Sequence, residues 1–166
     1  LLRVLATLLP PSAGTARVLG ADLSGHGRYE IRPRIGLIGH SPALYPELSL
    51  LENLEFSARV AGASPTAAMQ VLEQVGLGGA AARLVGESSY GMQRRAEFAR
   101  EIMLAPEVLL LDEPHSALDP SAIELVEHIV ADVLEGGGAV VLVSHDVAKV
   151  AAMVTRTAEL ARGTVR

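Results

Sequence analysis

Apolar residues fall along this chain in two rhythms, and the change from one to the other marks its elements. Arg34 to Gly39 reads R-I-G-L-I-G, Val108 to Leu111 is apolar at four successive positions, and Ala139 to Val143 at five. Runs of that length without polar alternation predict strands buried on both faces of a parallel sheet. Thr15 to Leu19 predicts a shorter strand. Elsewhere the spacing is helical. Leu1 to Leu9 predicts a helix that stops at Pro10-Pro11, because proline cannot donate to the helical ladder and disfavours helical geometry in the residue before it. Ser49-Leu50-Leu51-Glu52 is a capping box that opens a helix to about Ala61. Ser64-Pro65 opens a second, with serine as cap and proline at the first helical position, closed by Gly76 to Gly79. Gly91 to Leu104 predicts a helix with Arg94, Arg95 and Arg100 on its wetter side, halting before Pro106. Pro120 to Leu134 predicts one that turns Ile123, Val126, Ile129, Val130 and Val133 inward and closes at Gly136-Gly137-Gly138.

Strand and helix alternate, which predicts right-handed crossovers and a mainly parallel α/β sheet. From His40 to Gly91 the pattern is helical, so residues 41–100 are expected to form a helical subdomain inserted into an α/β core of residues 1–40 and 101–166. A chain of 166 residues suffices for one such domain or a large piece of one. Hydrophobic residues make up 49%, yet no apolar stretch approaches the roughly 18 residues that span a bilayer. A net charge of −5, a single lysine (Lys149), scattered arginines and 3% aromatics argue against nucleic acid as a partner. Phosphate neutralisation takes clustered cations, and single strands take stacking rings. Without cysteine, disulfides and thiolate metal sites are excluded.

The chemistry concentrates where the run Val108 to Leu111 ends in Asp112-Glu113. A buried parallel strand delivers its last residues to the carboxyl edge of the sheet, where ligands of open α/β sheets bind. Burying unpaired carboxylates is costly, so these acids need a metal, a hydrogen-bond network or a wet cleft. A nucleotide-bound magnesium ion meets that need. His145 follows a predicted strand and reaches the same edge, and His40 stands at another strand's end. Ser89 and Gly91 open the helix that carries Arg94 and Arg95, and the free amides and dipole of a helix amino terminus suit an anion.

Val108 to Asp119, V-L-L-L-D-E-P-H-S-A-L-D, resembles the Walker B motif and D-loop of ATP-binding cassette (ABC) ATPases. Ser88 to Arg95 is similar to their signature sequence, and Val140 to Asp146 to their switch-histidine strand. The resemblance implies a P-loop NTPase (RecA-like) fold with an inserted helical signature subdomain, and ATP and Mg2+ as cofactors. It implies that Asp112 holds magnesium through water, that Glu113 is general base toward the attacking water, and that His145 contacts the γ-phosphate. Nucleotide-binding positions would be Ser89, Gly91, Met92, His40, Ser116 and Asp119. His40 stands where most members carry a glutamine that touches magnesium and relays nucleotide state to the membrane partner. Because the signature loop caps the ATP of the other subunit, two ATP-binding subunits would pair head to tail. A transmembrane permease would be the further partner, and the place a peripheral one on the cytoplasmic face of the bacterial inner membrane. Two positions depart from the family pattern: Ser88 replaces an apolar residue or tyrosine, and Tyr90 a small residue.

Gly39-His40, with Pro42, Leu44-Tyr45, Leu48 and Glu52-Asn53-Leu54 after it, resembles the haem-exporting ATP-binding subunits of cytochrome c maturation. Ser89 to Met92 is similar to the signature of drug exporters. Haem export, drug export and a non-transport regulatory or translation-associated role all stay open at this point. No segment fits G-x-x-x-x-G-K-[ST], the loop whose amides and lysine cradle phosphates, and Lys149 lies too late to serve. Leu1-Leu2-Arg3 resembles the helix just after that loop. The expectation is a sequence truncated after the motif, with residues 1–166 binding ATP poorly and the complete protein binding it well.

Overall fold

The computed structural model describes residues 1–115, 120–146, 150–151 and 153–165. In chain order the elements are α1 (Leu2–Leu5), β1 (Arg17–Val18), β2 (Ala21–Asp22), α2 (Gly27–Ile31), β3 (Ile35–Ile38), α3 (Leu50–Ala61), α4 (Ala68–Gln74), α5 (Tyr90–Leu104), β4 (Val108–Asp112), α6 (Pro120–Glu135), β5 (Ala139–Val143), β6 (Leu160–Ala161) and β7 (Thr164–Val165). Strands β3, β4 and β5 form a parallel sheet in that order, with Ile38 opposite Leu111 and Asp112 opposite Val143. Central β4 explains its own sequence: Leu109, Leu110 and Leu111 are enclosed on both faces, and each buried side chain contributes about 2 kcal/mol of apolar transfer.

Two apolar clusters meet on α5. In one, Ile38, Leu109 and Leu111 of the sheet pack with Phe98 of α5 and Val126, Ile129, Val130 and Val133 of α6. In the other, Leu50 and Leu54 of α3 and Leu72 of α4 pack on Ala96 and Ala99 of α5. The helix therefore runs through residue 100 and belongs to both clusters. The capping box that opens α3 is present: Ser49 Oγ accepts from the Glu52 amide at 3.1 Å, and Glu52 accepts from the Ser49 amide at 2.8 Å.

Several expectations need correction. Helix α1 ends at Leu5, well before the prolines, because Thr7 takes a left-handed backbone (φ 61°) and Arg32 donates to its hydroxyl and carbonyl at 2.9 and 2.7 Å. Pro65–Ala67 form a 3-10 turn before α4 begins at Ala68. The terminal hairpins β1–β2 and β6–β7 were not expected from the spacing. Each turns on a left-handed pair, Leu19-Gly20 and Arg162-Gly163, the backbone that tight two-residue hairpins require. The largest correction concerns α5. Arg94 is not on a wet face but wholly buried, and Arg95 and Arg100 are half-buried, because both clusters close over this helix.

Candidate functional site at the carboxyl edge of the sheet

The parallel register brings three chain segments to one level. Gly39-His40 follows directly on the paired residues of β3 and Ser144-His145 on those of β5, while Asp112 is the last paired residue of β4 and Glu113 the first beyond it. Asp112 is the last residue of β4. Glu113 leaves the strand with a left-handed backbone, φ 51°, anchored by its amide donating to the Val143 carbonyl at 2.9 Å. A non-glycine residue in that region costs of order 1 kcal/mol or more, and such strain gathers at functional positions.

That turn aims the Glu113 carboxylate at His145. Oε1 accepts from the His145 amide at 2.8 Å and lies 2.9 Å from its Nδ1. Toward a carboxylate that only accepts, this contact calls for the tautomer with hydrogen on Nδ1. Ser144 shapes the loop, its Oγ accepting from the Asp146 amide at 3.1 Å in a short serine turn. The histidine side chain is 84% exposed and that of Glu113 23%, so the pair stands at the rim of the edge rather than inside it.

The second part of the site is the start of α5. Ser89 is its N-cap, the hydroxyl accepting from the Met92 amide at 3.3 Å. A Cβ placed on Gly91 would meet nothing within 4 Å, so the helix end is open to an approaching group. Ser88 is buried and donates to the Leu84 carbonyl at 2.9 Å, and Gln93 Nε2 donates to the carbonyls of Val85 and Ser88, which firms the loop beneath the cap. Tyr90 Oη donates to the carbonyl of His40 at 3.0 Å, joining this loop to the end of β3.

Three charged residues continue that link along α5. Arg94 Nη1 donates to the Gly39 carbonyl at 2.5 Å and to Glu97 Oε2 at 3.1 Å. Glu97 Oε1 accepts from the Ala43 amide at 2.8 Å. Arg100 donates to the Leu37 and Ala43 carbonyls at 3.2 and 3.3 Å and to Glu101 Oε1. Burial pushes the Glu101 carboxyl above its usual range, against the pull of Arg100.

The fold thus brings Glu113 and His145 into contact, sets Asp112 beside them, and joins His40 to the loop bearing Ser89, Gly91 and Met92. Ser116 and Asp119 lie outside the described residues. Sequence reasoning missed Tyr90 as a contact and missed the stripe Arg94, Glu97 and Arg100, although opposite charges at three-residue spacing were a signal of paired groups. A cavity of about 250 Å3 lies at the other end of the sheet, against Glu101, Pro106, Glu107 and Gly138. It borders the starts of β4 and β5, not the acid-bearing edge.

The chain has known relatives. The family model described as ABC transporter matches residues 1–116. The cytochrome c biogenesis ATP-binding export protein CcmA of Rhodopseudomonas palustris (strain BisB5) is 37% identical over 152 residues, 92% of this chain and 74% of its own length. The daunorubicin/doxorubicin resistance ATP-binding protein DrrA of Streptomyces peucetius is 34% identical over 168 residues, which cover 99% of this chain, and the chain spans 51% of that relative. A dimeric post-hydrolysis state of the ATP-binding cassette MJ0796 bound to ADP and Pi matches with a TM-score of 0.78 at 26% identity, over 89% of this chain and 69% of that one. The fold is that of the P-loop NTPases. The chain belongs to the ABC transporter family.

Proposed function

We propose that this chain belongs to an ATP-hydrolysing subunit that energises a membrane transporter, with Glu113 as general base. The observation that carries the proposal is the bond pair from His145 to Glu113 Oε1. Fixing one carboxylate oxygen leaves Oε2 to take a proton from water. As the water oxygen bonds to the γ-phosphorus, the bond to the departing ADP oxygen breaks and Glu113 holds the proton. His145 keeps the carboxylate in place, and its exposed ring stands beside the phosphoryl group.

Asp112 fits a magnesium ion held mainly by others. Among the described residues no three His, Cys, Asp or Glu side chains cluster as a metal cage, while magnesium in nucleotide sites takes one or two carboxylates and fills its shell with phosphate oxygens and water. When bound, the ion neutralises charge on the phosphates. Ser89, Gly91, Met92 and His40 are assigned to nucleotide contacts, and so are Ser116 and Asp119. We assign residues 41–100 to the helical signature subdomain and the remainder to the α/β core.

The assembly follows from the same reading: two subunits head to tail, a transmembrane permease above them, on the cytoplasmic face of the inner membrane. Among the described residues no helix is long and apolar enough to cross a membrane. For cargo we favour haem export in cytochrome c biogenesis, supported by the sequence around His40 and the likeness to CcmA. The Ser89-to-Met92 signature and the likeness to DrrA support drug export as the second reading. Co-purification with a haem-handling or a drug-exporting permease separates them. The test of the chemistry is Glu113→Gln in the full-length protein. ATP turnover is expected to fall about 10²- to 10⁴-fold with ATP binding retained. Turnover equal to wild type overturns the proposal.

A further inference from the structure

Four side chains on one stripe of α5, at positions 90, 94, 97 and 100, reach the segment from Leu37 to Ala43. They engage the carbonyls of Leu37, Gly39, His40 and Ala43 and the amide of Ala43. Every contact is to backbone, so the stripe reads the path of this segment and not its side chains. Arg94 and Glu97 are wholly buried, where loss of either partner would strand a charge, so that part of the contact is permanent. Tyr90 differs. It is 40% exposed and uncharged, and its single hydroxyl bond lands on His40 itself.

We infer that Tyr90 is a positioning residue that latches the His40 loop to the start of α5, so that the two candidate nucleotide contacts on opposite sides of this bond are presented in one arrangement. This rests on the nucleotide-binding reading of His40 and of Ser89 to Met92. Without the latch the loop samples other conformations, and a ligand that needs one of them binds with an affinity reduced by the fraction competent. The chemical step, reached only from the competent arrangement, keeps its rate. A lone hydrogen bond of ordinary net worth shifts that fraction by about fivefold.

The test is Tyr90→Phe in the full-length protein, which removes one oxygen and keeps the ring. The KM for Mg-ATP should rise about fivefold, with kcat within about twofold and the thermal midpoint lowered by no more than about 4 °C. Without nucleotide, amide hydrogen exchange over residues 39–41 should quicken. Glu113→Gln is assayed alongside. Should that variant turn over normally, the hydrolysis reading fails, while exchange at residues 39–41 still judges the latch. Unchanged exchange overturns the inference, as does an unchanged KM or a loss of kcat that tracks a lower thermal midpoint.

Discussion

Both the amide and the ring Nδ1 of His145 meet the same oxygen of Glu113, Oε1, at 2.8 and 2.9 Å. Two bonds on one oxygen fix the carboxylate more firmly than either alone, and they come from the loop after the neighbouring strand, two residues beyond Val143, which pairs with Asp112. His145→Ala removes the ring bond and keeps the amide bond. We expect kcat to fall about 10²-fold, the scale for a group that orients or contacts reacting atoms. Because the two residues act as a unit, the Glu113→Gln, His145→Ala double variant should be little slower than Glu113→Gln alone. Steady-state rates for the three variants check this; multiplicative losses would show independent action.

Gly36 in β3 faces α5 at the point where Glu101 is enclosed. A Cβ there would collide with Glu101 Oε2 and come within 2.9 Å of Pro106 Cγ and 3.0 Å of Leu109 Cδ1. Pro106 sits in a ring and Leu109 in the middle of the sheet, so neither yields easily. Gly36→Ala is expected to destabilise the fold by about 1–3 kcal/mol, the usual cost of overpacking, read as a lower urea midpoint with an unchanged slope.

The helix α3 provides a pH-dependent test. Glu52 accepts a bond from the Ser49 amide, and that bond, with the serine side chain, holds its carboxyl below the usual value of 4.5. A folded-state value below the unfolded one means that the contribution is present above pH 4.5 and lost as pH falls through the folded value. Glu52→Gln should therefore flatten the acid limb of the stability curve in that window. Ser49→Ala removes the cap at every pH and should cost about 1 kcal/mol even at the acid end of the range, with a further loss above it because the serine side chain also holds Glu52 low. Urea midpoints across the acid range distinguish the two.

How much of this was readable from the chain depends on whether a residue's partners are local. The run from Val108 to Leu111 announced a buried central strand because enclosure on both faces leaves no polar position. The Ser49 cap was readable because its partner lies three residues on. Arg94 and Arg100 were expected to face water, as arginines usually do. Their backbone partners lie more than fifty residues away, where nothing local in the sequence reports them; only the carboxylates of Glu97 and Glu101 beside them were within reach of local spacing. The acids and histidines of the candidate site were visible by type and spacing. The left-handed turn at Glu113 was not, since glutamate carries no preference for it.

That turn leads to a test in which stability and activity should part. Ala105, just past the end of α5, and Glu113, just past the end of β4, both hold positive φ, 46° and 51°. Glycine removes the clash of Cβ with the backbone, worth roughly 1–2 kcal/mol, and gives back about half of that through the greater freedom of the unfolded chain. Ala105→Gly, where the side chain is a single methyl and the helix already closes through the Ala105 amide to Glu101, should raise stability by about 0.5–1 kcal/mol and leave turnover untouched. Glu113→Gly relieves the same backbone strain but deletes the carboxylate. It should unfold at a urea concentration no lower than wild type while losing turnover at least as completely as Glu113→Gln. Parallel unfolding and turnover measurements on the two variants decide the matter. A clear loss of stability in Glu113→Gly would mean that the bonds to His145 hold the sheet edge together, and that the strained turn is structural rather than a means of aiming the base.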